Sequence, residues 1–257
     1  MISFEALNTE SGDLGRAYQD AQPYPHVIID AACDADRLRA SIPAVLERLS
    51  HGADSSGDLI FAKNKFVDSE FAAVTTDLSE LRDDLLSKRF AVWLSRLVGE
   101  EVFVDPAFYG GGLHAGGAGS FLDMHTDFSF HPQHLNWRRR LNILLYLNDD
   151  WLPMHGGELL LQDIKDEGME PKQVAPIFNR LVVMETGSQT LHGYDPISFP
   201  EGHYRMSIAA YAYSLEDQEC ASPQSTVWYP RKGGVVKRLA GKWIPRMIAA
   251  FRSIGRR

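Results

Sequence analysis

The sequence predicts a mainly β protein with flanking helices and a jelly-roll core. From Val102 to Ser214, short apolar runs are separated by Gly, Asn, Asp and Pro. Many short strands at this spacing are typical of β-sandwiches and jelly rolls. Before Gly99, apolar residues instead recur at helical spacing. The length of 257 residues suits one large domain with an elaborated N-terminal half.

The first hundred residues are predicted to support this core with helices and one strand. A short strand is expected within 23–30, where prolines precede an apolar run. Asp34 is a predicted N-cap for the helix that follows, and 50–58 reads as a polar loop. A long helix is predicted over 69–97 because leucines and aromatic residues recur on one side, and Gly99 is suited to end it.

The β half is predicted to contain eight strands. Their expected ranges are 102–109, 120–127, 140–147, 157–162, 172–178, 180–185, 191–195 and 204–213. Glycines at 110–112 and 116–117 are predicted to form turns. No helix start follows them at the spacing that a phosphate-binding loop requires, which argues against a nucleotide-binding motif.

The charges divide the chain into an acidic body and a basic end. Residues 231–257 contain nine Lys and Arg and no Asp or Glu. The 26 basic residues of the chain therefore leave 17 for the preceding 230 residues, against 34 acidic ones. An acidic body does not suit general nucleic-acid binding, which depends on neutralising phosphates. We divide the chain into a helical and strand support region at 1–100, a β core at 101–215 and a basic tail at 216–257.

The remaining composition predicts a cytoplasmic protein. Two cysteines, Cys33 and Cys220, are too few for a disulfide framework or a zinc site. The N-terminus lacks the basic and apolar segments of a signal peptide, and no apolar stretch approaches the roughly 20 residues that span a bilayer. Attachment to the inner face of the membrane would then be peripheral.

A histidine and a carboxylate two positions apart form the most informative motif. Residues i and i+2 of a strand share a face, so His125 and Asp127 can bind one ion. His192, on a later strand, completes the two-histidine, one-carboxylate set that holds non-haem Fe(II). The alternative is that His125 caps a barrel and His192 is a surface turn histidine. His131 and His134 are nearby competitors.

A second motif lies thirteen residues beyond His192. Arg205 and Ser207 share one face of a predicted strand, and a buried arginine requires an anionic partner. A bound dicarboxylate would supply one, since arginine pairs with a carboxylate through two N–H groups and Ser207 can add a hydroxyl. The alternative is an internal ion pair, for example with Glu158 or Glu185.

These motifs resemble those of the Fe(II)/2-oxoglutarate-dependent dioxygenases, in the branch that includes prolyl 4-hydroxylases. The resemblance is clearest from about Asp105 to Ser214 and is loose over residues 1–100. The motifs that carry it are HTD at 125–127, RRLNILLYLNDDW at 139–151, GGEL at 156–159, NRLVVMET at 179–186, LHG at 191–193 and RMS at 205–207. The resemblance implies a double-stranded β-helix, the jelly roll of this family, as the core.

The resemblance also implies the ligands. His125, Asp127 and His192 would bind Fe(II). Halogenating relatives lack the carboxylate, so Asp127 argues for hydroxylation or desaturation.

Four further residues are implied for 2-oxoglutarate. Arg205, helped by Ser207, would hold its distal carboxylate. Tyr146 corresponds to a family tyrosine whose hydroxyl reaches the same group, and Asn142, four residues earlier, is a weaker candidate. Many prolyl hydroxylases use lysine in place of this arginine, so the arginine does not point to proline as substrate.

The expected function is an oxygenase that hydroxylates a C–H bond while 2-oxoglutarate and O2 give succinate and CO2, with ascorbate as a supporting reductant. The sequence does not identify the substrate, which is expected to be a small metabolite, an amino acid or a glycan precursor. The segment 128–138 and the loop predicted at 50–68 are candidates to overhang the iron. Two alternatives remain. One is a metal- and 2-oxoacid-binding sensor or scaffold without turnover. The other is a cupin-like site, which leaves Arg205, Ser207 and Tyr146 unexplained.

The basic tail has three interpretations. Apolar residues recur at helical spacing within 234–257, with basic residues between them and Pro245 as a break. Such a helix packs on the barrel or on a second subunit, lies on an anionic membrane surface, or is disordered. The sequence does not fix the oligomeric state.

Overall fold

The computed structural model describes residues 1–9, 14–52, 60–166, 168–232, 237 and 239–241. Within these residues, eleven strands join in one curled antiparallel sheet. The strands are β1 His26–Ile29, β2 Ala62–Asp68, β3 Phe103–Val104, β4 Gly112–Thr126, β5 Trp137–Tyr146, β6 Leu159–Asp163, β7 Lys172–Val174, β8 Leu181–Glu185, β9 Thr190–Tyr194, β10 Arg205–Leu215 and β11 Val227–Trp228. The predicted jelly-roll core with flanking helices is confirmed.

The order of strands brings distant parts of the sequence together. The main path runs β1, β8, β5, β10, β4, β9, β6, β7, while β2 and β11 pair with β4 and β3 pairs with β10. Strands β4 and β9, which are more than sixty residues apart, are therefore neighbours. Neighbouring β5 and β10 form the longest ladder, from Ser207 opposite Tyr146 to Leu215 opposite Trp137.

The helices cover the outer face of the sheet. They are α1 Phe4–Thr9, α2 Leu14–Asp20, α3 Ala35–Ala40, α4 Ile42–Gly52, α5 Thr76–Leu86 and α6 Lys88–Val98. Apolar side chains of α5 and α6, such as Leu81 and Leu94, are completely buried in a core shared with Ile143 and Ile208 of the sheet. As predicted, Asp34 caps α3, and Gly99 ends α6 in the left-handed conformation.

The prediction of a single helix over 69–97 is wrong, because the helix is interrupted at Ser87. This residue has extended backbone, with φ −66° and ψ 147°, and is both the C-cap of α5 and the N-cap of α6. Its side-chain oxygen accepts from the N–H of Phe90 at 3.1 Å. The apolar spacing continues across the break, and serine capping decides the boundary. A 3₁₀ turn at Phe71–Ala73 precedes α5.

Several strand boundaries also differ from the prediction. The strand expected at 102–109 is confined to Phe103–Val104, because the Asp105 carboxylate accepts from the N–H groups of Ala107 and Tyr109 and turns the chain. The strand expected at 172–178 ends at Val174. Within the 50–68 segment, which was predicted as loop, Ala62–Asp68 forms strand β2.

The glycines of the core occupy a strand, contrary to the predicted turns. Strand β4 starts at Gly112 and contains Gly116 and Gly117, so only the first glycines of the run lie in a turn. Gly112 has φ +96°, and a Cβ there would overlap the carbonyl oxygen of Asp68 on β2. Glycine is therefore required where the Asp68 backbone of β2 lies against Gly112 of β4.

Replacing Gly112 with alanine is expected to destabilise the fold by more than ~1 kcal/mol, since the new side chain meets both a strained φ and the Asp68 backbone. Gly119→Ala is the matched control, because Gly119 has φ +75° but nothing within 4 Å of a Cβ. Urea unfolding of both variants measures how much of the lost stability comes from the steric clash with Asp68. Equal losses in the two variants would show that the close contact between strands is not what requires glycine.

Strand β4 is bonded on both of its edges. Its first residues pair with β10 on one side and β2 on the other. Towards its end, β9 pairs on one edge and β11 on the other, with Trp228 opposite His125. Residues assigned to the tail thus enter the sheet at β11.

The predicted amphipathic helix of the tail lies mostly outside the described residues, apart from Lys237 and 239–241. Lys237 binds the Asp123 carboxylate at 2.7 Å. Among the described residues, no helix has both the length and the apolar character to cross a bilayer.

Candidate active site

Two histidines and one aspartate meet where β4 ends beside β9. His125 lies on β4 directly opposite His192 of β9, with ring centroids 4.3 Å apart, and Asp127 follows the last residue of β4. The Asp127 carboxylate oxygens lie 3.6 Å from His125 Nε2 and 3.4 Å from His192 Nε2. One possible ligand atom from each residue lies within 4.8 Å of the others. The structure thus brings together all three predicted metal-binding residues.

The histidine rings are oriented for metal binding. Nδ1 of His125 lies 2.9 Å from the Asp123 carbonyl oxygen, so the proton sits on Nδ1 and Nε2 keeps its lone pair. Burial and the neighbouring His125 lower the pKa of His192 to about 3, so this ring is neutral. Both histidines are buried, contrary to the alternative of a cap and a surface turn histidine.

A buried arginine and asparagine hold the aspartate. Asn142 donates from Nδ2 to Asp127 Oδ2 at 2.8 Å, and Arg139 Nη2 lies 3.1 Å from the same oxygen. Arg139 also donates to Asn142 Oδ1 at 2.6 Å and stacks over the Tyr211 ring. Burial opposes ionisation, but the Arg139 guanidinium holds the pKa of Asp127 well below its usual range. The carboxylate is therefore ionised.

Asn142, the weaker candidate for the pocket of Arg205, lines the same cavity as that arginine. Its amide lies against the triad, 3.3 Å from His192 Nε2. Strand β5 carries it four residues before Tyr146 on the same face of the sheet. The sequence analysis missed Arg139, although a charged residue at the start of an apolar strand was an available signal.

The predicted arginine lies beside the predicted tyrosine. Arg205 donates from Nε to the Gly157 carbonyl oxygen at 2.6 Å and from Nη2 to the Tyr146 hydroxyl at 3.1 Å. Ser207 faces Tyr146 across the β5–β10 ladder. A Cβ on Gly157 would lie 3.1 Å from the Arg205 side chain, which explains a glycine in the GGEL motif.

Arg205 is not part of the internal ion pair that was the alternative. Among the described residues, no carboxylate lies within 4.0 Å of its guanidinium; this includes both Glu158 and Glu185. Arg205 is nevertheless buried, with only 8% of the residue exposed. Its buried charge thus lacks a described carboxylate partner within 4.0 Å, as an anion-binding site requires.

The triad and the arginine share one cavity of about 220 Å³. Its wall includes Ser207 of β10, Leu144 of β5 and Met184 of β8. Residues outside the predicted core also contribute, and these are Lys65 of β2 and Thr226 and Trp228 near the end of the described chain.

The segment 128–138 does not line this cavity, contrary to the expectation that it overhangs the metal. His131 instead packs against Trp137 and Tyr213, with its Nε2 3.5 Å from Asp105 Oδ2. His134 stacks on Trp137, with ring centroids 4.1 Å apart. Neither competing histidine therefore belongs to the triad. Of the other candidate overhang, 53–59 lies outside the described residues.

Comparisons with known proteins agree with this geometry. Residues 111–213 match the sequence model of the 2OG-Fe(II) oxygenase superfamily. A comparison with curated proteins gave no significant match.

Solved structures share the fold at low sequence identity. A prolyl-4-hydroxylase from Pseudomonas putida is 17% identical, with a TM-score of 0.52 over 79% of this chain and 99% of that one. A prolyl hydroxylase from Trichoplax adhaerens, solved with a hypoxia inducible factor peptide, is 15% identical, with a TM-score of 0.57 over 83% and 92%. HygX from Streptomyces hygroscopicus, solved with nickel and 2-oxoglutarate, is 15% identical, with a TM-score of 0.50 over 76% and 84%. Residues 111–213 of this chain are therefore similar to the 2OG-Fe(II) oxygenase superfamily, and the chain shares the fold of the prolyl 4-hydroxylases.

Proposed function

We propose that this protein is a hydroxylase in which His125, Asp127 and His192 bind Fe(II) and Arg205 binds 2-oxoglutarate. The observation that carries the proposal is the shared cavity, which holds a His-Asp-His set and a buried arginine without a carboxylate partner among the described residues. With O2, the bound metal and 2-oxoglutarate would supply oxidation of a substrate C–H bond to C–OH, with release of succinate and CO2.

The triad fits a divalent metal in its donor chemistry. Two imidazole nitrogens and one carboxylate oxygen are the facial set that suits non-haem Fe(II) and leaves three positions open. Asp127 Oδ2 is engaged by Asn142 and Arg139, so Oδ1 remains for the metal. We assign Asn142 and Arg139 the role of positioning residues that fix the carboxylate. Hydrogen-bonded partners of this kind orient metal ligands.

Arg205 fits the distal carboxylate of 2-oxoglutarate. Its bonds to Gly157 and Tyr146 use two of the five N–H groups of a guanidinium, so three remain for an anion. The Tyr146 hydroxyl accepts from Arg205, which leaves its own proton for a ligand oxygen. Ser207 adds a hydroxyl at the same end of the cavity. Arg205, Tyr146 and Ser207 would hold 2-oxoglutarate by its distal carboxylate, which would leave the keto-acid end for the metal.

The test is succinate formation from 2-oxoglutarate. We expect the purified protein to form succinate slowly with Fe(II), 2-oxoglutarate, O2 and ascorbate, and faster when a substrate is present. Omission of Fe(II), or an excess of a chelator, should stop the reaction. Binding of both metal and 2-oxoglutarate in calorimetry without any succinate, across amino acids, sugars and small metabolites, would instead indicate a sensor or scaffold.

A further inference from the structure

The described end of the chain lies against the strand that carries His125. In the short strand β11, Trp228 lies directly opposite His125 of β4. The N–H of the next residue, Tyr229, donates to the Met124 carbonyl oxygen at 2.7 Å. The proposed chemistry gives this segment no role, although it borders a residue of the triad.

The ring of Trp228 packs beside the ring of His125. Their centroids are 4.7 Å apart and their planes are tilted by 32°. Phe61 stacks on Trp228 in turn, with centroids 5.2 Å apart and planes 12° from parallel. Rings are therefore in contact from His192 through His125 and Trp228 to Phe61. Such packing restricts ring rotation, so Trp228 helps to fix the plane in which His125 presents Nε2.

The backbone of Trp228 is held by residues that follow it. A Cβ on Gly241 would lie 2.6 Å from the Trp228 carbonyl oxygen and 3.0 Å from the Trp228 Cβ. Gly241 is also buried. Glycine thus allows the chain beyond β11 to return and contact the Trp228 backbone directly.

A lysine of the basic tail reaches the residue that orients His125. Nζ of Lys237 lies 2.7 Å from Oδ2 of Asp123, whose side chain is 9% exposed. The backbone carbonyl oxygen of the same aspartate lies 2.9 Å from Nδ1 of His125. A carboxylate so far removed from water needs a cation beside it. Lys237 therefore holds in place the residue whose carbonyl fixes the His125 ring.

Two other basic residues of the tail make more exposed contacts. Nζ of Lys232 lies 3.1 Å from Asp195, with 69% and 42% of the two side chains exposed. Arg231 lies 3.7 Å from the same carboxylate. Ion pairs that are open to water contribute little to stability. Among the tail residues that the structure describes, Lys237 is thus the cation best placed to act on the triad.

We propose that Trp228 and Lys237 are positioning residues for His125 as a metal ligand. Trp228 fixes the plane of the imidazole by packing, and Lys237 fixes Asp123, whose carbonyl accepts from Nδ1. The inference rests on the proposed function, because it takes His125 to bind the metal. It gives the beginning of the basic tail a part in retaining that metal.

The experiment measures Mn(II) binding to full-length Lys237→Met by calorimetry. Lys237 acts one contact beyond a direct partner of a metal ligand, whose loss costs roughly 10–100-fold, so affinity should fall at least roughly threefold. A purely electrostatic influence has the opposite sign, since removing a positive charge strengthens binding of a nearby cation. Lys232→Met is the matched control. It makes the same charge change in an exposed pair and should bind Mn(II) at least as tightly as the original protein.

Trp228→Ala tests the packing contact. Its Mn(II) affinity should fall at least roughly tenfold, in the range for lost partners of metal ligands. Trp228→Phe, which keeps a ring, should recover most of this affinity. If circular dichroism shows that Trp228→Ala is unfolded, Trp228→Leu, which fills space without a ring, replaces it.

A second measurement does not depend on the metal. In the metal-free protein labelled with ¹⁵N-histidine, NMR follows exchange of the His125 Nδ1 proton with water, and His125→Ala assigns the signal. Exchange should be severalfold faster in Lys237→Met and Trp228→Ala, because a ring that is held less firmly opens more often. A merely structural role would lower thermal stability and leave this exchange rate unchanged.

Two results would overturn the proposal. One is Mn(II) affinity that is unchanged or higher in Lys237→Met, and the other is unchanged affinity in folded Trp228→Ala or Trp228→Leu. If the original protein does not bind Mn(II), the proposed function is at fault. Proton exchange at His125 in the metal-free protein then still decides whether Trp228 and Lys237 hold this ring.

Discussion

Asp127→Ala is expected to lose metal binding, to lose succinate formation and to unfold more easily. Asp127 supplies the carboxylate of the triad and also neutralises Arg139, whose side chain is 2% exposed. Removing one partner of a buried ion pair leaves the other charge uncompensated, at a cost of about 3–5 kcal/mol. Calorimetry with Mn(II), a succinate assay and thermal unfolding of the metal-free protein measure the three effects.

Two control variants separate metal binding from stability. His125→Ala should lose the metal but keep the Asp127–Arg139 pair, and so should lose less stability than Asp127→Ala. Asp127→Ala combined with Arg139→Met should recover part of the stability and none of the metal affinity, since the buried charge is gone. Mn(II) binding of undiminished affinity in either Asp127→Ala or His125→Ala would remove the triad from the proposed metal site.

Arg205→Ala is expected to lose 2-oxoglutarate while keeping the metal. The guanidinium offers charge and several donors in one plane, and a hydrogen bond to a charged group contributes on the order of 1.5–3 kcal/mol. Affinity for 2-oxoglutarate should therefore fall at least roughly tenfold, whereas Mn(II) affinity should stay the same. The affinity of Arg205→Lys for 2-oxoglutarate should lie between those of the original protein and Arg205→Ala. Lysine keeps the positive charge but lacks the paired N–H donors of a guanidinium.

Tyr146→Phe provides the matched control for this effect. It removes the hydroxyl that lies 3.1 Å from Arg205 but keeps the charge, so its loss of 2-oxoglutarate affinity should be smaller. If 2-oxoglutarate bound Arg205→Ala and the original protein equally well, the arginine would be structural. The cofactor assignment would then need another cation of the cavity.

The sequence was sufficient where local pattern and chemistry coincide. The alternation of strands placed His125 and Asp127 together, and a second histidine with the later Arg-x-Ser motif marked the two ends of one cavity. Arg205 was expected to need an anion, and no described carboxylate contacts it. These residues are close in space because the order of strands in the barrel makes β4, β9, β5 and β10 neighbours.

The parts of the cavity and sheet that were not predicted depend on contacts between strands, which the pattern of a single strand does not contain. Lys65 lies in a polar stretch that reads as loop, and only pairing with β4 and the bulge at Asn64 make it part of the cavity. Trp228 belongs to a segment whose basic continuation suggested a separate tail, yet β11 adds it to the sheet. The glycines of β4 were expected in turns. The need for glycine at 112 comes from the Asp68 backbone of another strand, and this contact cannot be read from the local sequence. Such tertiary contacts override local preference.

The pairing of β4 on both edges bears on how the metal would be acquired. His125 is held by β9 on one side and by β11 on the other, and the Asp123 carbonyl fixes its ring. Ordering these ligands costs conformational entropy, but that entropy is lost when the barrel folds and not when an ion arrives. The binding free energy of the metal is then free of a folding penalty, unlike that of domains whose ligands become ordered only around the ion. If these residues bind the proposed metal, the barrel holds them preorganised, and one divalent ion would exchange for another without unfolding.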